Sequence, residues 1–164
     1  MKNVYKYLLN CFLLTLPILL WNIAFSSRLP STYQPDIFWH NIPPVIEYGE
    51  SIFRMLAFLL MFLMPLRIST TTQKAGLIVY IVGTLLYFAA WIALIFYPQS
   101  LFSNSMLGFM APAYAPSLWL VGIGLVGNSY YFNLRFRRWP YMLIAFSFLA
   151  FHNAHTYIVY SRLH

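Results

Sequence analysis

The chain has 164 residues, of which 61% are hydrophobic and only 8% charged, and it carries a formal net charge of +7. Soluble domains hold about 25% charged residues, so a water-covered globular surface is excluded and the chain falls in the membrane class. A length of one ordinary domain gives no room for an extramembrane catalytic domain within these residues, and the single cysteine, Cys11, excludes an internal disulfide.

Five segments reach the roughly 20 mostly apolar residues that a spanning helix needs. They are 5–25, 45–66, 76–97, 117–132 and 139–160. The predicted fold is an all-α integral membrane protein, a single-domain bundle of about five transmembrane helices over residues 1–164. The first segment follows Lys2 and Lys6 and ends in Ala24-Phe25-Ser26-Ser27, an arrangement that imitates a signal peptide. Its apolar run is longer than the roughly 7–15 residues of a signal core, so it is read as an uncleaved first helix.

The loop from Ser26 to Pro44 combines Pro30, Pro35, Pro43 and Pro44 with Tyr33, Phe38, Trp39 and His40. The stretch from Pro98 to Pro116 holds Leu101, Phe102, Met106, Leu107, Phe109 and Met110 and no charge. Loops so apolar are expected to dip into the membrane interface or to cap the bundle. In the third segment Gly76, Gly83 and Ala90 recur every seven residues, a pattern for close helix contact. In the fourth, Gly122-Ile123-Gly124-Leu125-Val126-Gly127 spells a dinucleotide-binding fingerprint, but it sits inside an apolar helix with no preceding strand, so the match is void. Its glycines are expected to serve helix contact, with Asn128 hydrogen-bonding across it.

The loop charges orient the bundle. Lys2, Lys6, Arg67, Lys74, Arg135, Arg137 and Arg138 fall on one side, against Arg28 and Arg162 on the other, with Arg54 inside a span. The positive-inside rule then places the N-terminus in the cytoplasm and the C-terminus outside, in what is read as a bacterial cytoplasmic (inner) membrane. Basic residues at segment ends do not make a nucleic-acid-binding face.

The second segment carries Glu47, Glu50, Ser51 and Arg54 at i, i+3, i+4 and i+7, on one stripe of a helix. Charged groups at membrane depth cost several kcal/mol, about 2.5–3.5 at the centre on insertion scales, so they turn inward and pair. Glu50 and Arg54 have the favourable i, i+4 order. The fifth segment offers His152, Asn153 and His155. At about 1.5 Å of rise per residue, Glu50 and His155 lie roughly 8 Å below the outer boundary and Arg54 and His152 roughly 12–14 Å below it. Two polar clusters at matching depth point to one shared site, to which Trp91 and Tyr87 of the third segment can add aromatic walls. Asp36 and His40 are taken as exposed loop residues.

Carboxylate and imidazole suit zinc, iron or manganese, and Glu50, His152 and His155 would be the ligands. Neither spacing is diagnostic, and Arg54 would set a positive charge beside the ion, so no metal or other cofactor is assigned. Two short segments resemble parts of the motifs of the CAAX-protease and bacteriocin-processing membrane family: Glu50-Ser51-Ile52-Phe53-Arg54 its Glu-x-x-x-Arg, and Phe148-Leu149-Ala150-Phe151-His152 its Phe-x-x-x-His. Gly49 stands where that family has a further Glu, and no later His motif follows, so no family is assigned.

The leading expectation is a bundle that binds or transports a small lipophilic or amphipathic ligand in a pocket on its outer half, floored by Glu47, Glu50, Arg54, Trp91, His152, Asn153 and His155. An accessory or scaffold subunit that meets a partner membrane subunit, or another copy of itself, is the second reading and predicts no pocket. A small intramembrane enzyme with a Glu/His site is the third. Membrane lipids are neighbours in every case.

Overall fold

The computed structural model describes residues 5–163; Lys2 and the C-terminal residue 164 lie outside them. Among the described residues the chain is all-helical, with no strand. Its elements are α1 (Tyr5–Leu8), α2 (Leu16–Phe25), α3 (Pro35–Phe38), α4 (Pro44–Leu63), α5 (Thr71–Phe96), α6 (Met106–Tyr114), α7 (Pro116–Val126) and α8 (Trp139–Leu163).

The first segment is not the single helix expected over 5–25. After α1 the chain passes through a 3-10 turn, Cys11–Thr15, before α2 begins. Pro17 has no N–H and its ring crowds the carbonyl four residues back, so an α-helical ladder cannot run through it toward Leu13. Asn10 caps the turn by accepting from Phe12 N at 3.1 Å. The break is pinned to the far end of α4, since Cys11 N donates to the Met64 carbonyl at 2.8 Å and Leu66 N to the Leu9 carbonyl at 2.9 Å.

α4 opens with Pro44 in its first turn, where the missing N–H costs nothing. It stops at Leu63 because Pro65 forces Met64 into an extended conformation (φ −96°, ψ 117°). α5 starts with a capping box of Thr70 and Gln73. Its last carbonyls are met by Ser103 Oγ, which donates to Tyr97 O at 2.7 Å and Ala93 O at 3.3 Å.

The span expected at 117–132 lies elsewhere. Helix begins at Met106, under a Ser105 cap, and ends at Val126. Much of the stretch expected as a loop is therefore buried helix, and Pro116 joins α7 to α6 because a proline is tolerated in the first turn of a new helix. Asn128 falls beyond the helix end and accepts from its neighbour Ser129 at 3.2 Å, so it does not bond across a helix contact as expected.

Close packing of α5 against α7 rests on missing side chains. A Cβ at Gly83 would lie 2.5 Å from Trp119 N, and one at Gly122 would lie 2.4 Å from Tyr80 N, so these backbones meet as only glycine permits. Gln73, fully buried, donates to the Val126 carbonyl at 2.9 Å and fastens the same two helices at one end. Met61, Leu120, Ile123 and Tyr141 fill the core between α4, α7 and α8.

Large apolar side chains face outward, among them Ile52, Met55 and Leu59 on α4, Val82 and Leu85 on α5, and Leu143 and Phe146 on α8. Among the described residues, four helices are long and apolar enough to cross a membrane: Cys11–Arg28, Thr71–Phe96, Met106–Val126 and Trp139–Leu163. Their length and apolar composition point to a multi-pass integral membrane protein. α4 has spanning length, 20 residues, but carries Glu47, Glu50 and Arg54.

Candidate functional site

The site begins with a small residue. Gly49 lets α8 approach α4 so closely that a Cβ there would meet the Phe151 ring at 2.5 Å, and Phe53 stacks on the same ring at 5.6 Å. This contact swings the next residue, Glu50, against α8. Glu50 is 1% exposed. Its Oε2 lies 2.7 Å from His155 Nδ1, and its Oε1 lies 3.2 Å from His152 Nδ1 and 3.5 Å from Arg54 Nη1.

His155 is fully buried, and its second nitrogen, Nε2, donates to the Phe38 carbonyl at 3.0 Å. A carbonyl only accepts, so that nitrogen carries a hydrogen. The imidazole sits against Phe38 and Trp39, each ring centroid 4.5 Å away. The stretch from Leu29 to Pro43 is thereby held onto the cluster. Arg162, at the far end of α8, donates to the His40 carbonyl and, at 3.1 Å, to that of Ile37. Tyr33 stacks on Phe109 at 4.7 Å and donates to the Phe109 carbonyl; burial raises its phenol above the ordinary range and keeps it a donor. Asn41 takes a left-handed conformation (φ 52°), one that asparagine tolerates, where the loop turns into α4.

Beneath this cover lies a cavity of about 480 Å³, bounded by α2 and by α4 to α8. Leu29, Tyr33 and Phe38 form its roof, Trp21, Trp91, Trp119 and Phe148 much of its wall, and Arg54, His152, Thr156 and Asn22 supply polar atoms. Large side chains hold it open. Trp21 stacks on Phe88 at 4.5 Å, and Tyr87 donates to Asn22 Oδ1 at 2.8 Å, so α2 stands off from α5 on its side chains. The indole N–H groups of Trp21 and Trp119 are buried without a partner, while Trp91 Nε1 lies beside the Tyr87 hydroxyl without a well-formed bond.

The expected residues divide clearly. Glu50, Arg54, His152 and His155 form one cluster, in which Arg54 and His152 line the cavity while Glu50 and His155 stand behind them. Trp91 is in the wall. Glu47 is exposed and has no bond to the cluster, because the loop covers only the turn that follows it. Asn153 does not line the cavity: its Nδ2 donates to Leu149 O at 2.8 Å and Ala113 O at 3.1 Å, tying α8 to α6. Asp36 and His40 are exposed. Sequence reasoning missed Trp21, Asn22 and Thr156, for which a polar Asn22 within an apolar run was a signal; Tyr33 and Phe38 were named only as part of a loop expected to dip into the interface or cap the bundle, and they form the roof.

His155 uses both nitrogens and offers no lone pair to a metal, and among the described residues no group of three or more His, Cys, Asp or Glu is arranged to hold an ion. The cluster can instead hold a polar group by charge and hydrogen bonds from Arg54 and His152, in a chamber that is otherwise aromatic. No known protein family matches the chain, and neither a curated protein nor a solved structure is similar to it.

Proposed function

We propose that the protein binds, or carries across the bilayer, one small lipophilic or amphipathic molecule inside the central cavity. The observation that carries this reading is the chamber itself: about 480 Å³, walled by aromatic rings, with Arg54 and His152 as its ionisable groups. Ligand pockets of roughly 300–1,000 Å³ are typically built so, apolar with a few convergent polar groups. Membrane lipids are the nearest source of such a molecule. α4 acts as the fifth span, with Glu50 turned inward among Arg54, His152 and His155 and Glu47 in its first turn at the membrane boundary. The excess of Lys and Arg in the loops at one end supports an N-terminus in the cytoplasm and the covered end of the cavity outside; the membrane proposed for it is a bacterial inner membrane.

The test uses a chain whose exposed Trp39 and Trp139 are changed to Phe, leaving Trp21, Trp91 and Trp119 around the cavity. A brominated long-chain amphiphile should quench this fluorescence saturably, and Ala57→Phe, which fills the cavity wall, should remove the saturable part. Quenching that rises linearly and equally in both proteins overturns the reading.

One observation favours the enzyme reading as the second choice. Glu50 on Nδ1 leaves His152 Nε2 as the nitrogen available to a ligand, the arrangement that serves a general base. It requires that His152→Gln abolish turnover of a bound ester while leaving its binding intact. A scaffold role, with or without a partner subunit or second copy, has no use for the cavity.

A further inference from the structure

The charge of the ligand's head group follows from a count of protons. Nε2 of His155 carries one, because it faces the Phe38 carbonyl at 3.0 Å. The 2.7 Å contact between Nδ1 and Glu50 Oε2 holds a second, since two lone pairs do not approach so closely. It makes no difference which atom owns that proton. If the nitrogen does, carboxylate and imidazolium cancel; if the oxygen does, both groups are neutral. The Glu50–His155 pair therefore has no net charge, and Glu50 cannot neutralise Arg54 as a simple two-residue salt bridge would.

Arg54 stays charged at every accessible pH, and its side chain is 39% exposed while lining the cavity. The other carboxylates of the chain, Asp36 and Glu47, are both exposed and outside the cavity wall. The floor of the chamber thus carries at least one positive charge that the described residues do not balance. Arg54 lies 3.5 Å from Glu50, yet Arg54, Glu50 and His155 together keep a net positive charge, which an anionic group at the guanidinium would balance. Beside Arg54, His152 can donate or accept from its second nitrogen, and the walls above are apolar.

We infer that the occupant is a single-tailed amphiphile with a monoanionic carboxylate head, seated on Arg54 with its hydrocarbon tail among Trp21, Trp91 and Trp119. This rests on the cavity-binding reading above and narrows it. Arginine suits the role because its planar fork holds a carboxylate through two parallel hydrogen bonds. One tail, not two, matches a chamber of this volume, roofed by Leu29, Tyr33 and Phe38.

The experiment compares three brominated probes by tryptophan quenching in the Trp39→Phe/Trp139→Phe chain: dibromostearic acid, its methyl ester, and a two-tailed anionic phospholipid with the same chains. The acid should bind at least tenfold more tightly than the ester. Arg54→Gln should remove that preference by weakening the acid alone, and Arg54→Lys, which keeps the charge but loses the planar fork, should keep only part of it. The phospholipid should quench without saturating. Equal affinity of acid and ester overturns the anionic head while leaving the cavity reading intact. Saturable binding by the phospholipid overturns the single tail. Absence of saturable binding by all three overturns both readings. Should Arg54→Gln fail to fold, the acid-to-ester ratio of the otherwise unchanged chain still decides the matter.

Discussion

Removing the His155 side chain should be among the most damaging single changes in the protein. His155→Ala deletes a charge-assisted contact to Glu50 at 2.7 Å and the donor to the Phe38 carbonyl at 3.0 Å, from a side chain that is fully buried. A hydrogen bond to a charged group contributes about 1.5–3 kcal/mol, and a buried acceptor left unsatisfied costs about 1–3 kcal/mol. The sum agrees with the roughly 3–5 kcal/mol lost when one partner of a buried pair is removed. For a chain of this length, each kcal/mol moves the unfolding midpoint by about 2–4 °C, which gives a fall of roughly 6–20 °C. Thermal unfolding of the purified protein in detergent, followed by tryptophan fluorescence, measures it, with the exposed His40→Ala as control; surface changes stay within about 0.5 kcal/mol. If the two variants melt together, the fully buried, doubly bonded His155 described above is wrong, and the proton count built on it fails with it.

Arg54→Ala should cost less, about 1 kcal/mol, because its partner keeps both histidines and the guanidinium is partly exposed; it should still exceed the exposed Arg28→Ala, and an inverted order would show that Arg54 is not held by Glu50. Gly122→Ala should destabilise by about 1–3 kcal/mol, since the added methyl meets the Tyr80 backbone, whereas Gly49→Ala should cost less, since the Phe151 ring can turn away; thermal melts of the two variants that show the reverse ranking would refute the close α5–α7 contact. Tyr33→Phe should lose about 1 kcal/mol with its bond to the Phe109 carbonyl, and it should speed proteolysis in the 29–43 loop if that loop is held as described. Cysteines at 161 and 137, both exposed positions, should label from outside and only after permeabilisation respectively, with the buried Cys11 silent; the opposite pattern would invert the proposed orientation.

Three of the expected spans were legible because apolar length is a local property, and α8 begins at Trp139 as expected. Two boundaries moved: α4 ends at Leu63, where Pro65 stops it, and not at 66, and α5 starts at Thr71, where Thr70 and Gln73 cap it, and not at 76. The α6 helix was not legible. Gly108, Pro112 and Pro116 read as loop residues, yet Gly108 is where the backbone meets the Phe102 carbonyl and Pro116 falls at a helix start. The break at Cys11–Thr15 was likewise hidden, because the backbone bonds that hold Leu9 and Cys11 come from Met64 and Leu66, far along the chain and just past the end of α4.

By itself the sequence determined an all-helical chain with apolar spans and the level of its polar residues along their helices. A 1.5 Å rise and a 3.6-residue turn are fixed by backbone geometry, so Glu50, Arg54, His152 and His155 could be placed at matching levels before any packing was known. Only the tertiary structure decided what surrounds them. Which of two acids on one stripe turns inward depends on what covers it: the α8 imidazoles meet Glu50, with the Phe38 carbonyl holding one of them from behind, while Glu47, one turn earlier, stays outside. The cavity is a property of no single helix, because it exists where bulky Trp21, Phe88 and Tyr87 hold α2 away from α5, while glycines draw α5 and α7 together.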